Sequence, residues 1–201
     1  MRMYIDCDSL IQEQLTPEEC KAVHGAESKF SVTERDMLVM LALFEKYNIY
    51  RILEIGTNEG ATAAFLLKMR PNIMQWVGVD LIRAPDYIGR RCTDERYHLF
   101  RTDGTVKHAE QLIGPLGKFA CIFIDADHSF ESVKRDTEYS EKFLASGGIM
   151  IWHDYDVLHR YKKTPFGVKK YIDDLEGDIY LSGDRDRNSF KCCSLAWRFQ
   201  K

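Results

Sequence analysis

Five short apolar runs, each followed by a helical or irregular stretch, constrain this chain most. They are RILEIG (51–56), WVGVDLI (76–82), YHLFRTDG (97–104), FACIFIDAD (119–127) and GGIMIWHDY (147–155). A strand with one face in water alternates apolar and polar residues, whereas near-continuous apolar runs belong to strands covered on both faces. Such runs alternating with helices predict a doubly wound, Rossmann-like α/β sheet, mostly parallel, with helices on both faces. The helix after the first run, GATAAFLLKMR, is expected from Gly60 to the stop at Pro71. The helix after the fourth is expected to start near Ser129 and to end at Ser146-Gly147-Gly148, a glycine stop. Beyond a helix around 164–176, DIYLS and SLAWRFQK flank the polar loop GDRDRN, which predicts a hairpin and an antiparallel last strand at the sheet edge.

Upstream, residues 1–30 are acidic and weakly periodic and are expected to form an arm lying on the domain or over its site. Ser31 and Glu34 have capping-box spacing. Met37, Leu38, Met40, Leu41 and Phe44 then recur at helical spacing, predicting a helix that ends near Asn48. With 201 residues and no repeat or linker, one domain is expected over 1–201, with an arm and helix over 1–47 and the Rossmann-like core over 48–201. A net charge of −3 gives no global basic excess for nucleic acid or anionic lipid. No run approaches the roughly 18 apolar residues of a membrane helix. Asp6 and Asp8 fall where a signal peptide needs apolar residues, and the six cysteines include no CxxC pair. A reduced, cytoplasmic protein is the expectation.

The turn Glu54-Ile55-Gly56-Thr57-Asn58-Glu59-Gly60 joins the first run to its helix. In a doubly wound sheet that turn lies at the strand ends where ligands bind. A dinucleotide fingerprint starting at Gly56 would need glycines where Asn58 and Ala61 stand, and no Walker lysine follows. The turn is therefore not built for a pyrophosphate, and a purely structural glycine turn is the alternative. Asp80 ends the second run 20 residues after Gly60. A carboxylate there can accept both hydroxyls of a ribose, or it can simply be solvated. Asp103 ends the third run, where it can accept from an adenine amine, although Asp-Gly is also a turn dipeptide.

Taken in order, EIGTNEG, VGVD, TDG, IDADHSFESV and GGIMIWHDY resemble the class I S-adenosylmethionine-dependent methyltransferases. The likeness is greatest to a small branch whose fourth and fifth strands end in Asp-x-Asp-His-Ser-Tyr/Phe and His-Asp-Tyr. It covers about residues 48–156. It implies a seven-stranded sheet with the last strand antiparallel. It also implies that Gly56, Thr57 and Gly60 line the methionine portion of the cofactor, Glu54 supports its amino group, Asp80 its ribose and Asp103 its adenine.

Asp125, Asp127 and His128 end the fourth run, and His153 and Asp154 end the fifth. Adjacent strands lie about 4.8 Å apart, so neighbouring ends would gather three carboxylates and two imidazoles. Oxygen ligands suit Mg²⁺, and imidazole admits a transition metal. The pattern is similar to the metal-dependent O-methyltransferases of catechols and caffeoyl thioesters. That likeness implies Asp125, His153 and Asp154 as metal ligands, with His153 replacing the acidic residue usual there. It puts His128 at the general-base position, with Asp125 also counted among the catalytic and cofactor-contacting residues. An imidazole with an ordinary pKa could take a hydroxyl proton at neutral pH. Ser129 as a helix cap and His153 as a satisfied partner of Asp127 or of a backbone carbonyl are the structural alternatives.

The Arg- and Tyr-rich segment 83–98 offers Arg83, Arg90 and Arg91 to an acidic substrate, or forms a solvated helix with snorkelling arginines. Trp76 and Trp152 are expected in the core, and Cys192 and Cys193 on opposite faces of an edge strand. The leading expectation is methyl transfer to a hydroxyl oxygen of a small molecule, with no nucleic-acid or membrane partner. A homodimer is one way to complete the acceptor site. A hydroxylase-like enzyme on the same fold, or a cofactor-binding or interaction protein without transfer activity, stays open.

Overall fold

The computed structural model describes residues 1–24, 32–81, 86–102, 106–155, 167–182 and 194–201, with the side chains of 106–108 not described. Its strands are β1 (Arg2–Ile5), β2 (Arg51–Ile55), β3 (Gln75–Leu81), β4 (Tyr97–Thr102), β5 (Phe119–Ile124), β6 (Leu144–Trp152), β7 (Ile179–Ser182) and β8 (Ala196–Phe199). Its α-helices are α1 (Cys7–Gln14), α2 (Pro17–His24), α3 (Glu34–Lys46), α4 (Ala61–Met69), α5 (Val106–Ile113), α6 (Phe130–Ser140) and α7 (Gly167–Asp174). They surround one sheet of order β1-β7-β8-β6-β5-β2-β3-β4. All pairings are parallel except those of β8 with β6 and with β7. The expected seven-stranded Rossmann-like sheet is present, with β1 as an eighth strand.

Alternate residues of each central strand feed opposite layers. Ile52, Trp76, Phe123, Ile151 and Trp197 face α1, α3 and α4, while Leu53, Val77, Ile122, Met150 and Trp152 face α5, α6 and α7. Both expected core tryptophans, Trp76 and Trp152, are fully buried. Burying large side chains on both faces is the main stabilising contribution.

Several expectations are corrected. Residues 1–24 do lie on the domain, but as a strand and two helices built into it rather than as an arm. β1 extends the sheet in parallel beside β7, and Leu10, Ile11 and Val23 enter the core. The Arg2 guanidinium binds the carbonyls of Ile172, Asp173 and Leu175 at the end of α7, where a helix runs short of backbone donors. The antiparallel strand is accordingly not at the edge: β8 lies between β6 and β7. The capping box of α3 is Thr33 with Asp36, two residues on from the expected pair; Ser31 lies outside the described residues. Helix α6 starts after its Ser129 cap as expected but ends at Ser140, and Gly147 and Gly148 lie inside β6. There they accompany a register shift against β5, the usual place for glycine in a strand. Residues 86–96 form turns, not a helix. Arg90 and Arg91 pair with Glu59, and the Arg90 guanidinium lies over the Tyr87 ring. Arg83, the stretch 156–166, the GDRDRN loop, and Cys192 with Cys193 lie outside the described residues.

Register positions the site. Ile55 pairs with both Val79 and Ile124, and Ile124 pairs with Trp152. Asp80 in β3 and Gly56, Asp125 and His153 just beyond β2, β5 and β6 therefore lie in one row. The ladder continues through them: Gly56 N–H donates to Val79 O at 2.8 Å, Asp125 N–H to Ile55 O at 2.9 Å and His153 N–H to Ile124 O at 3.1 Å. Strand order reverses between β2 and β5, so the row crosses the crevice where doubly wound sheets bind ligands. Among the described residues no helix is long and apolar enough to cross a membrane.

Candidate active site

Three of the expected cofactor residues shape the first turn. Gly56 has φ +89°, and a Cβ there would meet Asp125 O at 2.3 Å, so only glycine lets this backbone touch β5. Gly60 caps α4 at φ +77° with no side-chain bond, which leaves the first helical N–H groups open. Thr57 Oγ1 donates to Glu54 Oε2 at 2.6 Å and lies 2.9 Å from the Tyr97 hydroxyl.

Glu54 is buried and also accepts from Trp76 Nε1 at 2.9 Å on the same Oε2. Burial outweighs these two bonds, and the nearby Asp125 and Asp80 add to it, pushing Glu54 up to about 7. A carboxyl raised in the fold binds more protons folded than unfolded between about pH 4.5 and 7, so it favours the fold at the acidic end and loses that contribution as pH rises. The cofactor-free protein is therefore expected to lose on the order of 3 kcal/mol of stability across that window from this residue. Glu54→Gln should flatten the profile. Urea midpoints between pH 4.5 and 8 check this, and a slope unchanged in the variant would refute it.

Asp80 is held by two backbone donors, Asn58 N–H to Oδ2 and Leu81 N–H to Oδ1, each at 2.6 Å. Each carboxylate oxygen keeps further acceptor capacity. Asp103 lies outside the described residues.

The chemistry-bearing groups meet beside this turn. Donor atoms of Asp125, His128 and Asp154 lie within 4.8 Å of one another. His128 Nε2 is 2.9 Å from Asp154 Oδ2 and 3.7 Å from Asp125 Oδ1. His153 Nδ1 is 3.1 Å from Asp125 Oδ1 and 3.4 Å from Asp154 Oδ1, but it is aligned for a hydrogen bond with neither and is shielded from solvent. Asp154 sits at φ +59°, a left-handed conformation that Asp tolerates better than most residues. Asp127 leaves the cluster. It accepts from Ser132 Oγ at 2.7 Å and Ser129 Oγ at 3.0 Å, tying down the start of α6. A small pocket opens on the cluster between Asp125, His128, His153, Val133 and Val168.

Electrostatics differ from the sequence expectation of a weakly shifted His128. Burial would lower it, but Asp125 and Asp154 outweigh that and hold it up to about 9. His153 is likewise held well above the usual histidine range, because Asp125, Asp36 and Asp154 overcome its burial. Burial would raise Asp154, but the two imidazoles hold it well below the usual carboxylate range.

Two contributors were not anticipated. The partner of His153 Nε2 is Asp36 of α3, at 3.1 Å, neither Asp127 nor a backbone carbonyl. The spacing Thr33-x-x-Asp36 was a capping-box signal in its own right. Residues 86–96 buttress the glycine turn through Gly89 N–H to Asn58 O at 2.7 Å and Arg91 N–H to Glu59 O at 2.9 Å. Only the left-handed Gly89, at φ +74°, would have hinted at it.

The model of a methyltransferase domain family matches residues 53–155, from β2 through the His-Asp-Tyr end of β6. No curated protein matches the chain. Solved structures share its fold. The Bacillus cereus O-methyltransferase in complex with SAH aligns at a TM-score of 0.60 and 17% identity, over 93% of this chain and 92% of that one. TomG from Streptomyces achromogenes, an O-methyltransferase of tomaymycin synthesis in complex with SAM, aligns at 0.60 and 14%, over 94% and 92%. MycE of the mycinamycin pathway, in complex with Mg, SAH and mycinamycin VI, aligns at 0.59 and 15%, over 98% of this chain and 55% of its own. The family match takes in more than half of the chain, including the whole row of strand-end residues: this protein belongs to the methyltransferase domain family.

Proposed function

We propose that the chain is an S-adenosylmethionine-dependent methyltransferase acting on a hydroxyl oxygen of a small molecule, with a divalent cation such as Mg²⁺ assisting, and that residues 1–201 work as one cytoplasmic domain. The observation that carries this reading is the contact of the Gly56 backbone with Asp125. It sets a cofactor turn directly against the acid and imidazole cluster. Structural neighbours crystallised with SAM, SAH or Mg support it.

The residues present fit both groups. Gly56 lets the turn pack against β5, Gly60 leaves the first N–H groups of α4 without a side-chain cap, Glu54 would meet the cofactor's amino group, and Asp80 would accept from the ribose. The cofactor, when bound, supplies a methyl group on a sulfonium that an oxygen nucleophile can displace. Asp125, Asp154 and His153 Nδ1 would hold the cation, which when bound would lower the pKa of the acceptor hydroxyl. His153 is the more suitable imidazole ligand because it is 6% exposed, whereas the His128 side chain is 35% exposed and can pass a proton to solvent. His128 Nε2 takes the acceptor proton once the charge of Asp125 and Asp154 is compensated. The row of strand ends holds cofactor turn and acceptor groups in fixed relation, which supplies much of the acceleration.

Calorimetric titration with S-adenosylmethionine is expected to show one site per chain. Incubation with methyl-labelled cofactor and a panel of catechols and other small hydroxyl compounds should place label on oxygen. Absence of cofactor binding overturns the reading.

A further inference from the structure

We propose that Asp36, on α3 and 117 residues away from His153 in sequence, is the positioning residue that aims His153 Nδ1 into the cation site. This rests on the cation-assisted reading above. Asp36 is fully buried, and every one of its contacts is made inside the fold. Its Oδ2 accepts from Thr33 N–H at 2.9 Å and Thr33 Oγ1 at 2.6 Å, and its Oδ1 accepts from Ser194 N–H at 2.8 Å. The carboxylate is thus locked by α3 on one side and by the approach to β8 on the other, and cannot turn away from the ring.

His153 Nε2 stands 3.1 Å from Asp36 Oδ2. An acceptor at that place keeps a hydrogen on Nε2, so Nδ1 is the nitrogen that a cation on the other side would meet in place of a proton. That other side is the Asp125–Asp154 pair, which Nδ1 faces without an aligned hydrogen bond. A buried imidazole with a carboxylate behind it and a nitrogen facing two further carboxylates ahead of it is the arrangement of a metal-ligating histidine, whose remaining N–H goes to a carboxylate or carbonyl. The N-terminal helices therefore complete the site from behind as well as covering the sheet.

The test uses the whole chain and Mn²⁺ as the probe, read by electron paramagnetic resonance. Asp36→Asn places an amide donor before Nε2 and is expected to weaken Mn²⁺ binding by roughly 10–100-fold. Cofactor affinity should stay within about threefold, since Asp36 lies behind the site. Thr33→Ala breaks the cap while leaving the Asp36–His153 contact, so it should lower Tm but not Mn²⁺ affinity. Nitrogen-15 spectra of the wild-type ring with Mg²⁺ bound should show the hydrogen on Nε2 and none on Nδ1, a readout that needs no variant to fold. Unchanged Mn²⁺ affinity in Asp36→Asn, or a hydrogen remaining on Nδ1 with Mg²⁺ bound, overturns the proposal. A wild type that binds cofactor but no Mn²⁺ overturns it too and leaves methyl transfer standing, whereas a wild type that binds no cofactor removes the functional reading itself.

Discussion

Gly56→Ala is expected to abolish cofactor binding and to destabilise the fold more than any other single methyl addition in the first turn. Two costs combine. At φ +89° an L side chain is strained, by about 1–2 kcal/mol. The new Cβ would also lie 2.3 Å from Asp125 O and 2.6 Å from Ala126 Cα. Both are backbone atoms, so no flexible side chain can yield. The ends of β2 and β5 must separate, straining the bond from Asp125 N–H to Ile55 O, and overpacking of that kind adds about 1–3 kcal/mol. A total loss near 3 kcal/mol or more is expected, with cofactor affinity down at least about 100-fold. Two substitutions calibrate it. Gly60→Ala also sits at positive φ, but its Cβ comes no nearer than 3.2 Å to Cys92 Cβ and 3.3 Å to the Gly89 backbone, contacts relieved by a shift of a few tenths of an ångström, so its cost should stay closer to the backbone strain of about 1–2 kcal/mol. Gly114 has open space around it, and alanine there should stay within about 0.5 kcal/mol. Thermal melts and calorimetry check the series. Wild-type binding by the Gly56 variant would remove the turn from the cofactor site.

The strand series was legible because apolar run length and helix punctuation are local properties. FACIFI could be read as a strand buried on both faces without knowing its neighbours. The sheet's edge was not legible in the same way. RMYI is too short and mixed to announce a strand, and β1 exists because β7 offers an open edge and Arg2 finds the carbonyls ending α7. Glycines misled for a related reason. Gly147-Gly148 has the chemistry of a helix stop, but the chain uses it for an irregularity inside β6, a choice made by pairing with β5.

The site divided along the same line. Residues at or beside strand ends, Glu54, Gly56, Asp80, Asp125 and Asp154, could be assigned to one end of the sheet once the strands were known, since parallel register carries them there. What lies behind the row could not. Nothing near His153 in sequence names Asp36, because the two meet only after α3 packs across β6. The shift of His128 was hidden in part for the same reason: the end of a neighbouring strand brings Asp154 to 2.9 Å of its ring, and together with Asp125 it outweighs burial and holds the proton affinity up.

Asp154 allows backbone and charge to be separated in one position, and replacing it is the second large effect expected. Its φ of +59° strains most residues but suits glycine and asparagine. Its carboxylate faces His128 Nε2 at 2.9 Å and His153 Nδ1 at 3.4 Å. Because those imidazoles depress its pKa, the stabilising contribution is present at neutral pH and is lost as pH falls below the ordinary aspartate range near 4. Removing it takes one counter-charge from two imidazoles, at a cost below the roughly 3–5 kcal/mol of a fully broken buried pair, because Asp125 remains beside both and Asp36 beside His153. Asp154→Gly should recover about 1 kcal/mol of that by easing the backbone, Asp154→Asn should lie between, and Asp154→Ala should be least stable. Cation binding should not follow that order. All three variants lack an anionic ligand, so each should lose at least about 100-fold in Mn²⁺ affinity, while cofactor affinity holds within about threefold. If Asp154→Gly kept Mn²⁺ affinity, the left-handed turn would be the contribution of this residue and the cation would have to be held by Asp125 and the imidazoles alone. If all three lost it in proportion to Tm, the carboxylate would be a structural counter-charge for His128 and His153 rather than a ligand.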